Sequence, residues 1–330
     1  MNAPMSVDAL RAELVRRQLL SPSAGKMPAV SHDRPWFISI VLGAAGWLAG
    51  VFALAFVALL LKPDTAGGIA LAGVMLLLGA FFLYAVDRDS QFLDQFALAL
   101  SIAGQFAVVW AADRATNSNT ATAAWACILQ VAVLIVMPNR LAKVLAAFFA
   151  CCAWALLVRF GWWEAQDFND QRQLMLGSAL MGWFAVWVPI IIAVQILVST
   201  ESAWMSSALR SIARAALTGM LLSLSVATWI SEPLGSLVFW EGQHQKDWMA
   251  LWPLLGAISS LLAAVYAFRL GNWAFIGVAS IGALLHVSQF YYLLGLSLLL
   301  KSCIMLGVGV IALIAATWLQ RRGTEQEAAT

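Results

Sequence analysis

Residues 37–61 read FISIVLGAAGWLAGVFALAFVALLL, an apolar run without a charged side chain. A helix needs about 20 mostly apolar residues to cross the hydrocarbon core of a bilayer, and this run meets that length. It also starts too far along the chain, and is too long, to be the core of a cleaved signal peptide. We therefore expect an uncleaved first membrane span.

Further runs of this kind follow along the chain. The predicted spans cover residues 37–61, 69–86, 92–112, 121–137, 141–158, 174–198, 212–230, 248–268, 273–297 and 302–319. The composition agrees, because 11% charged residues is far below the roughly 25% of soluble domains. The predicted fold class is all-α, a polytopic transmembrane helical bundle of about ten spans.

The positions of the basic residues predict the orientation, since short cytoplasmic loops carry an excess of Lys and Arg. With the N-terminus inside, thirteen of the 19 Lys and Arg residues fall in inner segments and six in outer ones. The inner residues are Arg11, Arg16, Arg17, Lys26, Arg34, Arg88, Arg140, Lys143, Arg210, Arg214, Arg269, Arg321 and Arg322. Both termini are therefore predicted to be cytoplasmic.

These spans divide the chain into three parts. Residues 1–35 form a cytoplasmic N-terminal segment, residues 36–320 the transmembrane helical domain, and residues 321–330 a short cytoplasmic tail. Within the first part, residues 6–20 predict a short amphipathic helix with Val7, Leu10 and Leu14 on one side. This helix is either solvated, with basic residues that only fix orientation, or it lies on the membrane or on a partner.

Several function classes are disfavoured by what the sequence lacks. A net charge of +2 and the lack of a basic patch with interleaved aromatic residues argue against a nucleic-acid partner. Phosphate-binding loops, metal-ligand spacings and nucleophile motifs are missing as well, so we expect no enzyme, metal or cofactor. The cysteines, Cys127, Cys151, Cys152 and Cys303, lie in apolar runs without paired or metal-type spacing.

Polar side chains within the spans are the remaining lead, because each needs a reason to be in the membrane. Gln105, Gln130, Gln195, His286 and Gln289 lie in apolar surroundings. Each can hydrogen-bond a neighbouring helix. His286 and Gln289 are three residues apart, so they share one helix face and serve either one neighbouring helix or one water-filled pocket.

The candidate functional cluster extends from this pair towards the C-terminus. It comprises His286, Gln289, Phe290, Tyr291, Tyr292, Lys301 and Ser302. Residues 275–319 would form a helix about 68 Å long, more than twice the membrane core, so the chain must turn back within this stretch. A turn at residues 298–302 leaves the tyrosines inside the membrane as part of a site, whereas a turn from Gly295 places them at the interface.

Two further patterns predict ordinary membrane structure. Trp36, Trp110, Trp229, Trp248, Trp273 and Trp318 lie near predicted span ends, where an aromatic belt is usual. Gly46 and Gly50 are four residues apart in the first span, which permits a close helix contact. We interpret that pair as packing.

A sequence pattern near the C-terminus resembles that of a known protein family. Phe290-Tyr291-Tyr292, followed by residues 298–302 (LLLKS) at the head of a last apolar span that ends in basic residues, resembles the bacterial polytopic membrane proteins described as a domain of unknown function, DUF4401. The N-terminal helix, the long first span and the total length are similar too. The resemblance implies a bacterial cytoplasmic (inner) membrane location and genes beside those of other membrane proteins. It implies no activity, ligand or catalytic residue.

The function expected from these features is that of a structural or assembly component of an envelope membrane complex. Its expected partners are the lipid bilayer and membrane proteins encoded nearby, and the sequence identifies no small-molecule ligand. One alternative is a secondary transporter of a small solute with a site near the ninth span, at His286, Gln289, Tyr291 and Tyr292. The other is a membrane-embedded enzyme, which would need distant carboxylates such as Asp94 and Glu201 to converge.

Overall fold

The computed structural model describes residues 36–61, 65–86, 90–163, 176–205, 209–231, 251–293 and 297–303, with single residues between 13 and 16 and between 306 and 317. Every regular element in these ranges is a helix, which confirms the all-α prediction. The tail 321–330 and most of residues 1–35 lie outside the described residues. Of the predicted N-terminal helix, Glu13 and Arg16 are described, both helical and joined by an ion pair of 2.8 Å.

The helices follow the predicted spans closely. The first five are α1 (Trp36–Leu61), α2 (Ala66–Val86), α3 (Gln91–Thr116), α4 (Asn119–Val136) and α5 (Arg140–Val158), the last continuing into a π-helical turn at Arg159–Trp163. The others are α6 (Leu176–Ser199), α7 (Glu201–Met205), α8 (Arg210–Ser225), α9 (Ala227–Ile230), α10 (Trp252–Arg269) and α11 (Trp273–Leu293). Side chains of Ser90, Ser118 and Asn139 cap α3, α4 and α5 by accepting bonds from backbone N–H groups.

Eight of the described helices are long and apolar enough to cross a membrane, namely α1 to α6, α10 and α11. The predicted seventh span is split into α8 and α9 by a break at Val226. The predicted tenth span, 302–319, is described only at separate positions. The chain is therefore a multi-span helical protein, and the count of ten stays a prediction.

The buried apolar residues form two clusters that meet at α5. Leu76, Leu98 and Val133 belong to the first, together with Ala142 and Ala146 at the start of α5. We call α1 to α4 with this part of α5 the N-terminal bundle. Cys151 and Ala155, at the end of α5, belong to the second cluster with residues of α6 and α8 to α11, which we call the C-terminal bundle.

Small residues bring the helices of the N-terminal bundle close together. A Cβ on Gly46 would lie 2.8 Å from Phe92 O, and one on Gly50 would lie 2.5 Å from Ala99 Cβ, so α1 packs on α3 through the predicted glycine pair. A Cβ on Gly73 would meet Gly104 O of α3 at 2.9 Å. Since Cβ atoms do not approach backbone that closely, these positions require glycine. The prediction of a close contact at Gly46 and Gly50 is confirmed.

Helices α5 and α8 join the two bundles along a parallel seam. Lys143 Nζ donates to Ser211 Oγ at 3.2 Å near the start of both helices. Further along, a Cβ on Gly219 would meet Val144 O at 2.6 Å and Phe148 N at 2.7 Å. The α8 backbone therefore lies directly against α5.

A proline in α6 leaves one backbone carbonyl without its helical partner, and a side chain of α5 bonds that carbonyl. Pro189 lies inside α6 and has no N–H, so the carbonyl of Ala185 loses its helical partner. Trp154 of α5 donates its indole N–H to Ala185 O at 3.3 Å. In a bilayer a freed carbonyl needs a partner from within the protein, and Trp154 supplies it.

Candidate functional site

The break between α8 and α9 is the local feature that builds the site. The hydroxyls of Ser223 and Ser225 donate to the carbonyls of Met220 and Leu221, and such back-bonding competes with the backbone and bends helices. At Val226 the backbone leaves the helical region, with φ −123° and ψ 24°. The carbonyl of Ser225 is thereby released from the regular helical ladder.

Helix α10 satisfies that carbonyl, and α11 packs against it. The buried Ser260 hydroxyl lies at hydrogen-bond distance from Ser225 O, at 3.0 Å, and from Gly256 O of its own helix, at 2.9 Å, and can donate to either. A Cβ on Gly282 of α11 would lie 2.5 Å from Ser225 O. The helix break therefore becomes a three-helix junction held by one hydroxyl and one glycine.

His286 lies in the same junction, with a side chain that is 0% exposed. Its Nδ1 is 2.8 Å from Thr228 Oγ1 of α9. Its ring is tilted by 47° against the Trp229 indole, with 5.0 Å between centroids. A Cβ on Gly256 of α10 would lie 2.7 Å from both Nδ1 and Thr228 Oγ1, so only glycine leaves room for this pair.

Gln289 completes the arrangement one turn further along α11. Its Oε1 accepts the indole N–H of Trp229 at 2.9 Å. His286 and Gln289 therefore both bond the same neighbouring helix, α9. The two alternatives predicted from their spacing are one neighbouring helix and one water-filled pocket, and these bonds agree with the first. We call Ser225, Thr228, Trp229, Ser260, His286 and Gln289 the buried polar cluster.

The imidazole of His286 is the one readily ionisable side chain of the buried polar cluster. The cluster contains no Asp, Glu, Lys or Arg. Among the described residues, His286 Nε2 is buried without a hydrogen-bond partner. No group of three His, Cys, Asp or Glu side chains in the described ranges comes together as a metal site would require.

The remaining members of the predicted functional cluster lie apart from His286 and Gln289. Phe290 and Tyr291 are half-buried, and Tyr292 is 77% exposed on the outside of α11. Lys301 Nζ lies 5.2 Å from the centre of the Tyr291 ring, and Ser302 donates to Leu298 O of its own helix. The stretch from 286 to 302 is thus an inward-facing pair followed by a surface aromatic group.

The position of the turn decides between the two alternatives for this stretch. Helix α11 ends at Leu293, and residues 298–303 are helical again, with Lys301 N donating to Ser297 O. A turn at 298–302 is therefore wrong, and the alternative from Gly295 begins outside the described residues. The tyrosines then belong to the last turn of α11, where tyrosine at a membrane interface is ordinary.

The other glutamines divide between interhelical and local bonds. Gln195 of α6 accepts from the Tyr266 hydroxyl of α10 at 2.9 Å, as predicted for a contact between helices. Gln105 instead donates to Ser101 of its own helix at 3.0 Å, and the Oε1 of buried Gln130 has no partner among the described residues. The prediction of interhelical contacts is thus confirmed for Gln195 and Gln289 and wrong for Gln105.

Sequence reasoning missed the partners in α9. Thr228 was not singled out, and Trp229 was assigned to the aromatic belt, although its indole bonds Gln289 inside the bundle. The run of Ser223, Ser225 and Thr228 in an otherwise apolar span was the available signal, because hydroxyls spaced in this way weaken a helix.

The N-terminal bundle contains a cavity of a different kind. It has a volume of about 500 Å³ and lies between α1, α2 and α3, with Trp47, Leu54, Leu76, Phe106 and Trp110 among its lining residues. Its lining is almost entirely apolar. It offers no polar group to orient a ligand, so it carries no chemistry comparable to the buried polar cluster.

The chain matches a known protein family. A family model described as Domain of unknown function (DUF4401) matches residues 35–322, a range that includes all eleven helices described above. No curated protein and no solved structure matches the chain. The resemblance found in the sequence pattern near the C-terminus is therefore confirmed.

Proposed function

The chain belongs to the DUF4401 family, and we propose that it is a non-catalytic structural or assembly component of a membrane complex. We further propose a bacterial cytoplasmic membrane location with both termini on the cytoplasmic side. The positive-residue bias and the family resemblance support these points.

One observation carries the structural role. Several polar side chains at the centre of the C-terminal bundle bond to other helices: Trp229 to Gln289, Tyr266 to Gln195 and Ser260 to Ser225. In membranes such bonds hold helices together and are worth roughly 0.6 to 2 kcal/mol each. Polar groups used in this way support a rigid frame.

The outer surface of the protein supports a role in assembly. Helix α1 contacts the bundle along its glycine seam on α3, and only 11% of residues 40–57 are buried. Phe52 and Phe56 are exposed and do not line the cavity between α1, α2 and α3. This face is free to contact lipid or another membrane protein.

The test is extraction into native lipid nanodiscs, followed by mass measurement and identification of associated proteins. We expect membrane proteins encoded nearby to co-purify, and their deletion to lower the amount of this chain. A photo-crosslinking residue at Phe52 should join the same partner, whereas one at buried Val186 of α6 should not. Migration as a single protein under every mild condition, with an unchanged level after deletion of neighbours, would sink the proposal.

A second candidate function is transport of a small solute, favoured by the unpartnered Nε2 of His286. Transport would need water to reach the buried polar cluster. Single cysteines at 286 and 289, in a background without the four native cysteines, should then react with a membrane-impermeant thiol reagent, because both positions lie on the face of α11 that meets the cluster. Labelling of a cysteine at 299 but not of those at 286 and 289, with flux unchanged by His286→Ala, would favour the structural role.

A further inference from the structure

A small polar pocket lies where the starts of α5, α8 and α11 meet the end of α10. Its volume is about 140 Å³, equivalent to about five water molecules at roughly 30 Å³ each. That is well below the roughly 300 Å³ of the smallest usual drug-sized sites. The pocket therefore has room for one small polar group.

Positive charge dominates the pocket. Arg140 of α5 and Arg214 of α8 both line it, with Glu201 of α7 as the lining carboxylate. Lys143 lies one turn beyond Arg140, is only 7% exposed, and has Ser211 as its partner. None of these three cations forms an ion pair with a carboxylate in the described part of the chain.

Other groups at this end do not neutralise the pocket. Asp94 accepts a bond from Asn139 Nδ2 at 3.3 Å and does not line the pocket. Asn272 and Thr218 add polar side chains to the wall. Leu217, Leu221 and Phe275 add apolar side chains to the lining, so the pocket combines charged, polar and apolar groups.

We propose that this pocket binds a phosphate group, held between Arg140 and Arg214. Guanidinium groups bind phosphate oxygens through paired, charge-assisted hydrogen bonds. The bound phosphate comes either from an anionic phospholipid headgroup or from inorganic phosphate. Basic pockets between membrane helices on the cytoplasmic side are suited to headgroups, and the Lys and Arg bias predicts that side for these residues.

The full-length protein, purified in a neutral detergent without phosphate, provides the test. Its unfolding temperature is followed during titration with dioleoylphosphatidylglycerol, with dioleoylphosphatidylcholine, and with inorganic phosphate at constant ionic strength. Stabilisation by phosphatidylglycerol alone identifies a headgroup site, and stabilisation by inorganic phosphate as well identifies a site for the free anion. Both results support the proposal, and no stabilisation by either probe overturns it.

Charge variants separate the pocket from general attraction to a basic surface. We expect Arg140→Gln with Arg214→Gln to weaken binding at least about tenfold, since two charge-assisted contacts are lost. Arg210→Gln is the matched control, because Arg210 lies one turn from Arg214 on α8, is exposed, and does not line the pocket. An equal loss in Arg210→Gln would mean diffuse electrostatics and would overturn the proposal.

A variant that is expected to bind phosphate more tightly excludes misfolding as the cause of the changes in binding. Among the described residues, Glu201 is the carboxylate that lines the pocket, and Glu201→Gln removes its charge. We expect it to tighten binding roughly two- to fivefold, the size of a partly exposed charge interaction. Weaker binding in Glu201→Gln would show that the carboxylate contributes to the site and would contradict a phosphate ligand.

Discussion

The two bundles hold their helices together by different means in the same membrane. In the N-terminal bundle, Gly46, Gly50, Gly73 and Gly104 let backbones touch, and Gln105 bonds only its own helix. The C-terminal bundle adds buried bonds between helices, such as that from Ser260 to Ser225, whereas the bond from Trp47 to Gln95 between α1 and α3 is exposed. Lipid tails are as apolar as leucine, so neither bundle gains from hydrophobic burial as a soluble protein does. The straight helices pack closely and share an exposed bond, whereas the broken helix also has a buried polar partner and the proline-containing helix a polar partner from α5.

The largest effect expected is from filling a glycine seam of the N-terminal bundle. Gly73→Leu forces α2 away from the backbone of Gly104 and should lower the free energy of unfolding by about 3 kcal/mol. Gly79→Leu, on the same helix but with open space at its Cβ, should change it by less than about 0.5 kcal/mol. Denaturant titration in mixed micelles measures both, and equal effects would contradict seam packing.

Removal of the imidazole should have the next largest effect, and it tests the C-terminal bundle. His286→Ala leaves Thr228 without its partner and opens a gap beside Trp229, so we expect a loss of about 2 kcal/mol. Leu285→Ala is the control, since Leu285 is the exposed neighbour on the same helix. An unchanged unfolding midpoint in His286→Ala would show that the junction does not depend on this pair.

The bond from Trp154 to α6 predicts a conditional effect. Trp154→Phe should cost about 1 kcal/mol, because it leaves the carbonyl of Ala185 unpaired. In a Pro189→Ala background the helix can supply that hydrogen bond itself, so the same change should cost almost nothing. A double-mutant cycle in the same unfolding assay measures this coupling. Equal losses of unfolding free energy in both backgrounds would show that the indole hydrogen bond does not depend on the proline.

The smallest effect expected compares one glutamine from each bundle. Gln289→Leu removes a bond between helices and should cost about 0.6 kcal/mol. Gln105→Leu removes a bond within one helix and should cost clearly less. A larger loss of unfolding free energy in Gln105→Leu than in Gln289→Leu would contradict a greater dependence of the C-terminal bundle on bonds between helices.

Much of the fold followed from apolar run length. Predicted spans such as 37–61 and 273–297 match α1 and α11 closely, because bilayer thickness sets the length of an apolar run. The seventh predicted span was less accurate. Its hydropathy is continuous, but the hydroxyls of Ser223 and Ser225 bond backward and the helix breaks at Val226.

The candidate site was only half predictable for a related reason. His286 and Gln289 were identified because a polar residue in an apolar run stands out and their spacing places them on one face. Their partners Thr228 and Trp229 lie 58 and 60 residues away in the chain. No periodicity within one helix reports on such a pairing.

The sequence by itself determined a multi-span helical protein, its family and the pairing of His286 with Gln289 on one face, since these depend on local composition and helix geometry. Only the tertiary structure decided that this face meets α9, that Gly256 makes room for the contact, and that Tyr292 points away from it. It also brought Arg140 and Arg214 to one pocket. A membrane helix must hydrogen-bond its own backbone polar groups, so local sequence is enough to predict that it forms. Which helices it packs against depends on how side chains from distant parts of the chain fit together, and this is decided only in the tertiary structure.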